Sequence, residues 1–184
     1  MKKIIYSIGA TFLIFLLIFS FSYKVQAGRV LITSIGQNPG GLMVKVVLNK
    51  MNVDFTYEPL IQSDELEEYD YAILSVGCSQ KGLCAADCSF DDELKRTKDL
   101  IAAIDQKGYQ VILVHLGGKL KRDDKSNKLI NQVAPISSHF VITEESNVDD
   151  YFSHTAKEKN IELHIVEKLS KLEVVFEEIF NDKN

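Results

Sequence analysis

Apolar positions along this chain fall into short β-rich runs separated by stretches with helical spacing. Residues 29–35, 71–76 and 110–116 are nearly continuous apolar runs, as expected of strands buried on both faces of a parallel sheet. Residues 53–57 alternate like a strand, and 140–143 and 163–166 are shorter runs of strand character. Between them, residues 42–51 read as a helix apolar on most of its surface and therefore well buried. Ser63 looks like the N-cap of a short helix. Residues 91–107 carry Leu94, Leu100, Ile101 and Ile104 on a helix closed by Gly108. Residues 123–133 predict a helix with Asp123 as its N-cap, stopping before Pro135. A further helix is expected over 148–159. Leu169, Leu172, Val175, Phe176, Ile179 and Phe180 mark an amphipathic C-terminal one. About six strands alternating with helices predict a three-layer α/β/α sandwich around a mostly parallel sheet, flavodoxin-like or Rossmann-like. The flavodoxin-like order 2-1-3-4-5 is the first expectation, with the sixth strand extending the edge.

The beginning of the chain does not fit that alternation. Lys2 and Lys3 precede an uncharged apolar run over residues 4–23, followed by Val25-Gln26-Ala27, with small residues at the positions a signal peptidase reads. This is the pattern of an export signal over residues 1–27, and it is set aside from fold reasoning. Residues 28–184 then form a single α/β domain, 157 residues long and large enough for one core. The apolar run is also about long enough to span a bilayer, so retention as an N-terminal anchor is the alternative. Lys2 and Lys3 would stay inside in either case. The expected location is extracellular or in the cell envelope, with membrane contact only through the N-terminal segment if it is uncleaved. No Cys follows the run, which argues against a lipid anchor.

Charge narrows the partners. The chain carries a formal charge of -5, and removing Lys2, Lys3 and Lys24 with the leader brings it to -8. Nucleic acid is not an expected partner, because phosphate binding needs a positive footprint. Trp is absent, which weakly disfavours stacking on sugars.

In parallel α/β sheets, ligands bind beyond the carboxyl ends of the strands. Four loops leave those ends here: 34–41, 77–89, 115–122 and 144–147. In the first, Gly36 and Gly41 have the spacing of a phosphate loop, but Leu42-Met43 stand where Lys-Ser/Thr is required. The dinucleotide fingerprint is missing too, so no cofactor is expected. The loop still brings backbone N–H groups to a helix N-terminus, which can hold an anion, or Pro39-Gly40-Gly41 merely makes the turn. The expected ligand residues are Ser34, Gly36, Gln37, Gly40, Ser79, Gln80, Lys81, His115, Gly117 and Glu144, with Lys81 supplying positive charge. Lys119, Lys121 and Arg122 with Asp123 and Asp124 read as a solvated loop opening a helix. His139, His154 and His164 show no partner pattern and read as incidental.

The second loop holds all three cysteines, Cys78, Cys84 and Cys88. Their C-x5-C-x3-C spacing fits no metal signature, and no metal site is assigned. In an exported protein the leading expectation is one disulfide pinning the loop, with one thiol left over. Other readings are a metal site completed by His115, a reactive Cys78 at a strand end, or three inert thiols. Cys78 is not on a nucleophile elbow, since no helix is expected directly after it.

Residues 31–37 (LITSIGQ), 43–46 (MVKV), 79–83 (SQKGL) and 115–118 (HLGG) together resemble a family of exported bacterial proteins of unknown function. The resemblance runs from the first strand to the last helix, and its most specific parts are the T-S-x-G-Q start and the H-x-G-G segment. It implies no activity. In that family the second loop usually has small residues where this chain has Cys84 and Cys88, which favours a local disulfide over shared chemistry. Three functions compete. The first is an extracytoplasmic module binding a small polar or anionic ligand at the strand ends. The second is a non-catalytic accessory or interaction domain of the envelope. The third is a hydrolase or thiol-dependent enzyme using Cys78 or His115.

Overall fold

The computed structural model describes residues 27–118, 122–147 and 149–181. The expected export signal, apart from Ala27, lies outside the described residues, as do Lys119, Lys121 and Val148. Six strands form one sheet: β1 (Val30–Ile35), β2 (Phe55–Tyr57), β3 (Tyr71–Val76), β4 (Gln110–His115), β5 (His139–Thr143) and β6 (Glu162–Val166). Their order is β2-β1-β3-β4-β5-β6, and every pairing is parallel. The chain therefore has the predicted flavodoxin-like order with a sixth strand added at the edge. Among the described residues six α-helices connect and cover the strands: α1 (Gly40–Lys50), α2 (Gln80–Ala85), α3 (Phe90–Lys107), α4 (Asp124–Val133), α5 (Tyr151–Lys159) and α6 (Leu172–Asn181). No helix among the described residues is long and apolar enough to cross a membrane.

The inner strands β1, β3, β4 and β5 are buried at nearly every position because both faces are covered, and the two-residue period divides their side chains between two cores. Leu31, Ile35, Leu74, Leu113 and Phe140 meet Leu100 and Ile104 of α3, Leu129 and Ile130 of α4 and Phe152 of α5. Val30, Ile32, Ile73, Ile112 and Val141 meet Val44 and Leu48 of α1 and Phe176 and Phe180 of α6. Each such large side chain, fully buried, contributes about 1.5–3 kcal/mol of transfer free energy.

Helix boundaries differ from the sequence pattern where local capping decides. The expected helix at Ser63 is a single 3-10 turn (Ser63–Glu65) capped by Gln62, whose side chain and that of Glu65 form a reciprocal capping box. The helix expected over 148–159 is α5, starting at Tyr151 after a 3-10 turn (Glu144–Asn147). Asp123 caps α4 as predicted, accepting from the Ser126 N–H at 2.7 Å. The largest departure is α2, a helix directly after Cys78 where none is predicted. Ser79 caps it by accepting from the Gly82 N–H, and a second capping box, Ser89 with Asp92, opens α3.

Candidate functional site

The carboxyl ends of β1, β3 and β4 surround a cleft of about 250 Å3, lined by Asn38, Gly40, Met43, Gly77, Cys78, Ser79, His115 and Gly117, among others. It lies at the strand-order reversal, where β1 and β3 are neighbours and their connections leave in opposite directions. A wider open groove of about 490 Å3 adjoins it and shares Asn38, Pro39 and Ser79; Ser34, Gln37, Tyr57 and Lys81 line its other parts.

Of the expected ligand residues, Gly40, Ser79, His115 and Gly117 meet in the cleft. Ser34, Gln37 and Lys81 belong to the groove, so Lys81 does not charge the cleft. Gly36 is buried and its N–H is already committed, donating to Glu93 Oε1 at 2.6 Å. Gln80 is exposed on α2 and reaches toward Cys84 Sγ at 3.5 Å. Glu144 is exposed on the turn after β5 and lines neither cavity.

Two hydrogen-bond networks that the sequence reading missed, one part-buried and one buried, fix the loop after β1. Asn38 donates to the Ser75 carbonyl at 2.7 Å and accepts from Ser75 Oγ at 2.8 Å and from the Gly40 N–H at 2.9 Å. One amide side chain thus joins the end of β3 to the start of α1. Beneath it, Glu93 and Arg96 of α3 form a buried pair, with Arg96 Nη2 at 2.7 Å and Nε at 2.9 Å from the carboxylate. Arg96 also donates to the carbonyls of Ser34 and Ile61 at 2.5 and 2.9 Å. With the Gly36 N–H on Glu93, α3 grips the first loop from below. Gly36 has φ +86°, and an added Cβ would meet the Gly77 carbonyl and Leu129, so only glycine fits there. Gln37 follows at φ 54°, a left-handed conformation uncommon outside Gly, Asn and Asp. The available signal was a charged pair on the buried stripe of a helix: Glu93 and Arg96, with Thr97, continue the face of Leu100 and Ile104.

His115 is the most unusual lining residue. Its side chain is almost fully buried, at 1% exposure. Nδ1 lies 2.7 Å from the Val76 carbonyl, which can only accept, so Nδ1 carries the proton. Nε2 is then a bare acceptor, and it has no hydrogen-bond partner among the described residues. Burial lowers the imidazole's pKa from its ordinary 6.5, opposed by the Val76 hydrogen bond, so the ring stays neutral at pH 7.

The expected disulfide is not formed: Cys78, Cys84 and Cys88 are all free thiols. Helix α2 is the reason. It leaves Cys84 exposed while Cys78 packs against the core, and the Ser79 and Ser89 caps order the loop instead. Burial, reinforced by Asp123, pushes the Cys78 thiol pKa up, which disfavours the thiolate a nucleophile needs. Burial raises that of Cys88 as well.

Toward the β6 edge of the sheet, His139 and His164 do have a partner pattern, which the sequence did not show. With Glu162 they form a cluster whose donor atoms all lie within 4.8 Å of one another.

The family described as "Domain of unknown function (DUF6305)" matches residues 27–180. No curated protein matches the chain.

Proposed function

The chain belongs to the DUF6305 family, and we propose that it is an extracytoplasmic binding domain that holds a small polar ligand in the cleft at the strand carboxyl ends. The observation that carries this reading is His115: a buried acceptor, Nε2, without a hydrogen-bond partner among the described residues, on a residue lining a cleft at the strand-order reversal. A buried polar atom without a hydrogen bond costs about 1–3 kcal/mol, a cost that a ligand donor reaching Nε2 from the cleft would relieve. The preferred ligand therefore offers a hydroxyl, amide or amine hydrogen. Among the described residues the lining carries no charged side chain, which favours an uncharged polar ligand over an anion. Export rests on Lys2, Lys3, the apolar run after them and Val25-Gln26-Ala27. The raised Cys78 pKa counts against the thiol-enzyme alternative.

The test is a thermal-shift screen of polyols, amides, amines and small anions against the chain and its Met43→Trp variant. Met43 is partly exposed at the cleft wall, so Trp there fills the cleft without entering the core. A ligand at about 100 times its Kd adds about 2.7 kcal/mol to stability. An uncharged donor should raise the melting temperature of the natural chain and leave that of Met43→Trp unmoved. A screen in which nothing stabilises the chain, or in which the shift survives Met43→Trp, refutes the reading.

A further inference from the structure

We propose that His139, Glu162 and His164 form a binding site for a divalent transition-metal ion of the zinc class, independent of the cleft. In the parallel register of β5 and β6, His139 sits beside Glu162 and Val141 beside His164. Side chains two apart on a strand share a face, so Glu162 and His164 point to the same side of the sheet. Val141 and Val166, two or four positions from the cluster residues on their strands, pack in the core under α1 and α6, which fixes that side. Two sequence-distant histidines and a carboxylate therefore converge on one face of an edge strand.

The spacing suits a metal. His139 Nδ1 and His164 Nε2 are 3.5 Å apart. They lie 3.3 and 3.7 Å from the two carboxylate oxygens of Glu162. Tetrahedral zinc with ligand bonds of about 2.0–2.1 Å separates its ligand atoms by roughly 3.3 Å. A slight inward movement of three side chains would complete the set. Two imidazole nitrogens and one carboxylate oxygen are ligands that zinc, nickel, cobalt and copper accept. The histidine side chains are 10% and 11% exposed and Glu162 is 52% exposed, so an ion can enter past the carboxylate. Three protein ligands leave a fourth position for water or an exogenous ligand. The cluster stands at the first residues of β5 and β6, at the opposite end of the strands from the cleft.

The experiment uses the tag-free chain, stripped of metal and kept reduced, titrated with Zn2+ by calorimetry and with Co2+ by visible absorption. The expected result is uptake of one ion per chain, with cobalt d–d bands and no sulfur-to-cobalt charge-transfer band. His164→Gln should abolish uptake and Glu162→Gln should weaken it at least tenfold, as loss of a ligand costs no less than loss of its supporting partner. Both variants change positions outside the core, and each must melt like the metal-free natural chain. His139→Asn, at the buried position, should also abolish uptake. No uptake at micromolar metal, uptake that survives His164→Gln, or a charge-transfer band showing that the cysteines hold the ion would each overturn the proposal.

Discussion

Replacing Arg96 with Met tests the buried pair that shapes the cleft. The variant keeps most of the aliphatic stem and removes the guanidinium. Glu93, 1% exposed, then keeps only the Gly36 N–H at 2.6 Å and the long Gln37 contacts at 3.4 Å. The carbonyls of Ser34 and Ile61 lose their Arg96 donors as well. Breaking a buried pair by deleting one partner costs about 3–5 kcal/mol, because the remaining charge is stranded in a poorly solvating interior. For a domain of this size each kcal/mol moves the melting temperature by about 2–4 °C, so Arg96→Met should lower it by roughly 6–20 °C. The assay is urea and thermal unfolding followed by circular dichroism. The double variant Glu93→Leu with Arg96→Met removes the stranded charge, and the two changes should couple by about 2 kcal/mol, within the range for residues in one network. A loss below about 1 kcal/mol in the single variant, or additive losses in the double, would refute the reasoning.

Two further outcomes follow from the same region. Because burial lowers the His115 pKa from 6.5, the unfolded chain binds this proton more readily than the folded one, so stability is full above pH 6.5 and declines as pH falls from there through the folded-state value. Urea midpoints measured across that window should fall more steeply for the natural chain than for His115→Gln, and parallel curves would count against a neutral buried ring. Gly36→Ala should cost about 1–3 kcal/mol in thermal unfolding and more than Gly108→Ala, which has a similar φ of +71° but open space around it; equal losses would mean that the Gly77 carbonyl and Leu129 are not limiting.

The fold was legible because continuous apolar runs such as 71–76 and 110–115 have one economical use: burial on both faces of a parallel sheet. The caps at Asp123 and Gly108 were legible for a local reason, since each needs only its own turn. Helix α2 was not, because six residues with a glycine carry too little periodicity, and its Ser79 cap looks like any loop serine. The disulfide expectation came from the export signal and three cysteines in one loop, and α2 overturns it by leaving Cys84 exposed while Cys78 packs against the core. Within the candidate site, Gly40, Ser79, His115 and Gly117 were foreseeable from their places after β1, β3 and β4. Asn38, Glu93 and Arg96 were not, because the partners that build their networks lie 35 to 62 residues away.

The sequence by itself determined the alternation, the strand order and the end of the sheet where the cleft lies, because those follow from periodicity and the handedness of crossovers. Tertiary structure alone decided which polar groups meet. Strand parity and register turned His139, Glu162 and His164 into one cluster. The packing of β4 against β3 took one nitrogen of His115 for the Val76 carbonyl and left the other without a partner among the described residues. Chain spacing carries no record of such encounters, because the sheet brings strands together across sequence gaps that no local pattern spans.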